Sequence, residues 1–297
     1  MVYYPLYTLK QIVFKAYFRF EVNILSVPCE TADSVTVPLN QYIALRVYRD
    51  NKPCCLETSA LQKGLVLIYK GKELIEEGIG FGVPVIKYRD KTLFSSTAEI
   101  KVSAETPFTL EKRFLMDTVS KKRFFKAYVN DDVYEFVHKL FEKAYLGHSR
   151  LYSVNNKIME LRDLLRIKTE FLRVKPRGVI NLKYVFERNV IQIMADFNNI
   201  ERDGCVELLM LNEQGANTFQ SYADTGGLRL NGRGIGALDL VHAKSATLSS
   251  ADAGLAFSLD NRVPAGLFRG WESTKNRFSW AGLSYSIEPK TKFFDYA

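Results

Sequence analysis

Cysteine is scarce in this chain, whose 297 residues include only Cys29, Cys54, Cys55 and Cys205. None of them stands in the CxxC spacing of a tetrahedral zinc site, and the neighbours Cys54 and Cys55 would point to opposite faces of a strand. We therefore interpret the cysteines as structural thiols and expect no metal. At this length the chain buries enough apolar surface to fold without disulfide staples.

Long hydrophobic runs are also missing. No window approaches the roughly 18 consecutive apolar residues that a membrane-spanning helix requires. Near the start, Lys10, Lys15 and Arg19 are spread out instead of preceding an apolar run and a cleavage site, which is typical of mature protein. These absences predict a cytoplasmic location and no membrane partner.

Local catalytic motifs are absent as well. The three histidines, His138, His148 and His242, have no HExxH or i, i+4 spacing, and no GxSxG nucleophile elbow occurs. The segment 232–237 matches the dinucleotide pattern G-x-G-x-x-A, but a β-like run follows it where a phosphate-binding helix is needed. We expect a glycine-rich hairpin turn there and no cofactor, and the sequence leaves open whether the protein is an enzyme.

Short alternating runs broken by turns are what the chain has in abundance, together with 20 Phe and 16 Tyr. This pattern is typical of β-sandwiches and barrels. A second glycine cluster, 78–82, favours a bulge or a close backbone approach. Hairpins are predicted between the following segments: 65–69 and 73–78, 84–88 and 92–96, 180–186 and 190–197, 228–230 and 237–241, 246–250 and 255–259, 266–271 and 277–283.

The hydrophobic period changes to three and four residues in the middle of the chain. Val133, Phe136, Leu140 and Phe141 form a helical stripe, and a second stripe follows Ser153. We therefore predict a mainly β protein, a large antiparallel β-sandwich or supersandwich with a central helical hairpin insert. The expected division is an N-terminal β half (1–130), the helical hairpin (131–167) and a C-terminal β half (168–297), the two halves being alternatively one continuous domain.

The net charge of +8 is concentrated in residues 111–188, which hold 18 Lys or Arg and 10 Asp or Glu. Such an excess permits an acidic partner, such as nucleic acid or another anionic ligand. Lys121, Lys122 and Arg123 beside Phe124 and Phe125 give the interleaving that phosphate contact and base stacking require. A solvated face is the alternative that we favour.

The last third of the chain has the composition of a binding site. Aromatic faces with polar edges, combined with directed donors and acceptors, suit a polyhydroxylated ligand. Core packing is the alternative explanation for each aromatic residue. The candidate ligand-binding residues are Tyr222, Arg229, Arg233, Trp271, Glu272 and Trp280.

The layout of long hairpins, a helical insert and an aromatic-rich terminal region resembles the β-supersandwich of galactose-mutarotase-like, carbohydrate-active domains. That resemblance implies a histidine on the sheet facing an acidic residue. His242 and Glu272 match the residue types, but neither stands in a motif of the family, so no catalytic role is transferred to them.

Three functions follow from these features. The first is binding or processing of carbohydrate by a β-sandwich protein. The second is binding of nucleic acid or another anionic ligand through the basic segment 111–188. The third is a non-catalytic structural or interaction role, and the oligomeric state is not predicted.

Overall fold

The fold is described from a computed structural model of the chain. The structure describes residues 29–30, 34–39, 41–48, 61–73, 79–103, 108–124, 127–129, 157, 168–187, 190–213, 221–230, 236–240, 243–250, 255–272 and 278–297. Within these ranges the protein is mainly β, as the alternating pattern predicted. Apart from Lys157, the helical hairpin predicted for 131–167 lies outside the described residues and stays a prediction.

The strands are numbered in chain order. The first nine are β1 (Cys29–Glu30), β2 (Ser34–Pro38), β3 (Ile43–Tyr48), β4 (Leu65–Tyr69), β5 (Lys72–Glu73), β6 (Gly80–Tyr88), β7 (Thr92–Ser103), β8 (Phe108–Phe124) and β9 (Ala127–Val129). Those that follow are β10 (Lys168–Arg173), β11 (Val179–Glu187), β12 (Val190–Asp196), β13 (Cys205–Glu213), β14 (Ser221–Asp224), β15 (Arg229–Leu230), β16 (Gly236–Asp239), β17 (Ser245–Ser250), β18 (Leu255–Asp260), β19 (Ala265–Glu272), β20 (Phe278–Ile287) and β21 (Phe293–Tyr296).

Antiparallel pairing joins 17 of the described strands into one large sheet. Strand β6 is its junction, because β13 lies along one edge while β4 and then β7 pair with the other. One arm runs from β6 through β13, β20 and β19 to β16. A separate row of strands runs from β6 through β4, β3 and β2 to β1. The other arm runs through β7, β8, β11 and β12 to β21, and β9 and β10 pair with the far end of β8. Strands from both β halves of the sequence thus pair directly.

The two arms face each other across an apolar core. Their contacts include the ring of Tyr285 on β20, whose centroid is 4.8 Å from that of Tyr296 on β21. Alternation places one residue in two on the inner side of each strand, as in Leu208 and Met210 of β13, both fully buried. The core is therefore built from the inward rows of such strands, together with β4 and β6, which are buried at nearly every position.

Four further described strands, β14, β15, β17 and β18, form a small sheet. Its buried row contains Tyr222, Leu248 and Phe257, which are cross-strand partners. The Phe257 ring meets Phe81 of β6 edge to face at 4.9 Å, and this contact fastens the small sheet to the large one.

Most of the predicted hairpins are confirmed, and one is wrong. Segments 228–230 and 237–241 do not pair with each other, because β15 pairs with β14 in the small sheet and β16 pairs with β19 in the large sheet. Both segments alternate and a glycine-rich stretch separates them, so local pattern alone could not reveal that they belong to different sheets. Pairing is decided by which edges are available in three dimensions.

Two glycine positions have structural reasons that the sequence anticipated. Lys70 and Gly71 turn β4 into β5 with φ values of 49° and 79°, a conformation that suits glycine. Gly82, with φ of 73°, is skipped in the pairing of β6 with β13, where Val83 pairs with Leu211 and Phe81 with Asn212. The bulge predicted within 78–82 is thereby confirmed.

Candidate functional site

Two lysines are buried where β3 and β4 face β8. Lys112 belongs to the inward row of β8 with Leu110 and Phe114, and its side chain is fully buried. Lys63 precedes β4 and is 1% exposed. Charged side chains are almost never buried to this extent without partners. We call Arg46, Tyr48, Lys63, Glu73 and Lys112 the cationic cluster.

Main-chain carbonyls solvate the Lys112 ammonium. Its Nζ donates to the carbonyl oxygen of Tyr48 at 2.8 Å and to that of Lys63 at 2.5 Å. It also lies 5.0 Å from the centroid of the Phe114 ring, a cation–π distance. Lys112 therefore ties the end of β3 and the start of β4 to the opposite arm of the sheet.

The carboxylate of Glu73 collects the other members of the cluster. Arg46 Nη1 lies 2.9 Å from Glu73 Oε1, to which the Tyr48 hydroxyl also donates, and Lys63 Nζ lies 3.8 Å from Oε2. Arg46 Nε donates in addition to Thr36 Oγ1 at 3.0 Å. These contacts come from β2, β3, β5 and the segment before β4, so the cluster exists only in the folded sheet.

Exposure differs from one side of the cluster to the other. The Arg46 side chain is 33% exposed and that of Glu73 17%, whereas both lysines are enclosed. Solvent thus reaches the Arg46 guanidinium and the Glu73 carboxylate, whereas the ammonium groups of Lys63 and Lys112 are shielded from it. This arrangement can bind an acidic group at Arg46 and accept hydrogen bonds at Glu73.

This cluster was not predicted from the sequence, although one signal for it was present. Lys112 occupies an inward position of an otherwise apolar alternating row, with exposed Glu111 and Arg113 on either side. A lysine in the buried register of a strand is unusual. That signal can identify Lys112, but Glu73 and Arg46 are remote in sequence and become its neighbours only by pairing.

The predicted binding residues Tyr222 and Arg229 lie on neighbouring strands of the small sheet. Tyr222 pairs with Leu230 and Ala223 pairs with Arg229, so Tyr222 and Arg229 point to opposite faces. Tyr222 is 2% exposed and its hydroxyl donates to Asp224 Oδ2 at 2.8 Å. Burial and the neighbouring Asp224 raise the pKa of Tyr222, so it stays a neutral phenol.

The other predicted binding residues can be placed only by backbone register. Trp271 pairs with Ser279, Gly270 with Trp280 and Glu272 with Phe278, so both tryptophans belong to the β19–β20 hairpin and are one register step apart. Arg233 and His242 lie outside the described residues. The binding role of all six candidates remains a prediction.

In the basic segment, acidic residues lie beside the lysines. Lys121 of β8 pairs in register with Glu170 of β10. Across the other edge of β8, Lys112 and Arg113 pair with Ile100 and Glu99, and Arg113 Nη1 lies 3.3 Å from Glu99 Oε2. Carboxylates thus lie among the basic residues of β8 where the structure describes them, and nucleic-acid binding by the basic segment remains a prediction.

Other chemistry is sparse in the described part of the chain. It contains no cluster of three or more His, Cys, Asp or Glu side chains able to hold a metal ion. No helix found there is long and apolar enough to cross a bilayer. Cys205 is a half-buried free thiol, and burial raises the pKa of that thiol.

Comparison with known proteins adds no assignment. No protein-family model matches the chain, and no curated protein is significantly similar to it.

Proposed function

We propose that the protein binds a carbohydrate that carries an acidic group, and that the cationic cluster receives that group. The observation that carries the proposal is the pairing of a one-third exposed Arg46 with Glu73 in front of two buried lysines. Guanidinium groups bind carboxylates and phosphates with bidentate geometry. Positive charge held at low dielectric behind Arg46 strengthens the attraction for an anion.

Glu73 supplies the second half of the recognition. A carboxylate accepts hydrogen bonds from the hydroxyl groups of a sugar, while Arg46 donates to the acid. The partly exposed edge of the cluster thus offers an acceptor and donors within a few ångströms of each other. This combination distinguishes an acidic saccharide from a simple anion, for which an acceptor is of no use.

The finer architecture belongs to the same proposal. We take the large antiparallel sheet to be a β-supersandwich of the galactose-mutarotase-like kind, with the helical hairpin at 131–167 as its insert and the cytoplasm as its location. Trp271 or Trp280 of the β19–β20 hairpin then stacks on a further sugar ring. The mainly β composition and the facing arms of the sheet support this view.

The test compares ligands that differ only in charge. Oligosaccharides of neutral sugars, oligosaccharides containing uronic acids and a single-stranded oligonucleotide are titrated into the protein at low salt by calorimetry. We expect binding of the uronate-containing saccharides, at least tenfold tighter than that of the neutral ones. Absence of saccharide binding, or preference for the oligonucleotide, would contradict the proposal.

Variants then locate the site. Arg46→Met should weaken binding of the acidic saccharide by tenfold or more, since one charge-assisted bidentate contact contributes about 1.5 to 3 kcal/mol. Arg113→Met is the matched control, because Arg113 forms an exposed ion pair with Glu99 elsewhere on the same sheet. Circular dichroism verifies that both variants fold. Equal affinity of the two variants would place the site elsewhere, and Trp271→Ala and Trp280→Ala are the variants for that case.

A further inference from the structure

A second cluster of polar side chains lies in the middle of the apolar core. Tyr184 of β11, Ile193 of β12 and Tyr296 of β21 are successive cross-strand partners, so their side chains share the inner face of one arm. Asn212 of β13 and Gly82 of β6 face them from the other arm. Tyr184, Tyr296 and Asn212 are at most 1% exposed. We call Tyr184, Asn212 and Tyr296 the tyrosine cluster.

The orientation of the Asn212 amide is fixed by its neighbours. Asn212 Oδ1 accepts from the backbone N–H of Gly82 at 3.0 Å and from the Tyr296 hydroxyl at 2.7 Å. The Gly82 N–H is a donor only, so the carbonyl side of the amide must face it. The Nδ2 group therefore points away from both, with two hydrogens to donate.

In the tyrosine cluster, two buried polar atoms have no protein partner among the described residues. They are Asn212 Nδ2 and the Tyr184 hydroxyl oxygen. Burial raises the pKa of Tyr184, so its phenol is neutral and can both donate and accept. Leaving such atoms unsatisfied destabilises the folded protein, and buried polar atoms in native proteins nearly always have a partner.

Gly82 lies next to the Tyr184 ring. A Cβ at Gly82 would lie 3.4 Å from Tyr184 Cε1 and 3.4 Å from two carbon atoms of Ile193, which is ordinary contact distance. The Tyr184 ring therefore lies close to the Gly82 backbone across the two arms. The Gly82 N–H is bonded to Asn212, so Gly82 brings Tyr184 and Asn212 into the same neighbourhood.

We propose that the tyrosine cluster encloses a binding site for one ordered water molecule, which accepts from Asn212 Nδ2 and hydrogen-bonds the Tyr184 hydroxyl. A water molecule is the ligand class that fits, because it combines donor and acceptor in the smallest volume. Buried water molecules typically form about three such bonds and belong to the structure. This site is independent of the carbohydrate proposal.

The sign of a stability change tests the site. Tyr184→Phe removes only the hydroxyl oxygen. If that oxygen is bonded to water, the variant loses a hydrogen bond and its urea midpoint falls. If the oxygen has no partner, removing it leaves the midpoint unchanged or raises it. Tyr285→Phe is the matched control, since the Tyr285 hydroxyl donates to the Asp260 carbonyl at 2.7 Å and its loss must lower the midpoint.

A crystal structure of the unmodified protein gives an answer that does not depend on variants. We expect an ordered peak within hydrogen-bond distance of both Asn212 Nδ2 and the Tyr184 hydroxyl, and a fall in midpoint for Tyr184→Phe similar to that of Tyr285→Phe. A Tyr184→Phe midpoint at or above that of the unmodified protein overturns the proposal. Electron density without a molecule between the two atoms overturns it as well.

Discussion

The cationic cluster and the tyrosine cluster place polar groups in the same apolar core in different ways. In the cationic cluster, protein groups meet the charges directly, as the carbonyls do for Lys112 and Glu73 does for Lys63. In the tyrosine cluster, the Tyr184 hydroxyl and Asn212 Nδ2 have no described protein partner. Burying an unpaired charge costs far more than burying an unpaired neutral group. A folded chain must therefore surround its buried charges itself, whereas it can leave neutral groups to a solvent molecule.

The largest effect on stability is expected from a substitution in the cationic cluster. Lys112→Met keeps most of the side-chain volume but leaves the carbonyls of Tyr48 and Lys63 without this donor. We expect the free energy of unfolding to fall by about 2 to 4 kcal/mol. Urea titration measures it, and Lys101→Met is the control because Lys101 is exposed on the neighbouring strand. Equal stability of the two variants would show that the ammonium contributes nothing.

An intermediate effect is expected in the tyrosine cluster. Asn212→Leu leaves the Gly82 N–H and the Tyr296 hydroxyl without their acceptor, at a cost of about 1 to 3 kcal/mol. Met210→Leu, on the same strand and inner face, is the apolar control and should cost less than about 1.5 kcal/mol. Thermal or urea unfolding compares the two. A larger loss from Met210→Leu would mean that packing outweighs hydrogen bonding at this point.

The smallest effect concerns a partly exposed ion pair, which adds a third environment to the comparison. Lys87 Nζ lies 2.6 Å from Glu207 Oε2. Partial burial raises the pKa of Glu207, but hydrogen bonds from Lys87 and Ser286 outweigh it, so the net pKa is lowered. A carboxyl with a lowered folded pKa contributes stability above its unfolded pKa of about 4.3, and that stability is lost as the pH falls through the folded value.

Because solvent screens this pair, its contribution should be about 0.5 kcal/mol or less. Urea midpoints of the unmodified protein and Glu207→Gln, taken at about pH 7 and about pH 3, measure it. We expect the unmodified protein to be slightly more stable than Glu207→Gln at the higher pH. This difference in stability should shrink at the lower pH, where Glu207 becomes protonated. A difference that grows in acid would contradict the lowered pKa.

Sequence reasoning predicted the local parts of the fold well. The β6–β7, β11–β12, β17–β18 and β19–β20 hairpins pair as predicted, because each joins alternating runs across a short turn. It failed for β15 and β16, which alternate equally well but enter different sheets. The cationic cluster as a whole could not be predicted from the sequence, since Arg46 and Glu73 are 27 positions apart and Lys112 is farther still.

The sequence by itself determined that the protein is mainly β, and it determined the turn at Lys70–Gly71 and the bulge near Gly82. Period-two alternation and glycine's tolerance of positive φ act over only a few residues, so they can be recognised locally. Tertiary structure alone decided which strands share a sheet, which inward polar residues meet and where their partners come from. Those choices depend on the burial free energy of whole sheet faces and on the cost of unpaired polar groups. Such energies are summed over residues that only the folded chain brings together, as it does for Lys112 with the carbonyls of Tyr48 and Lys63.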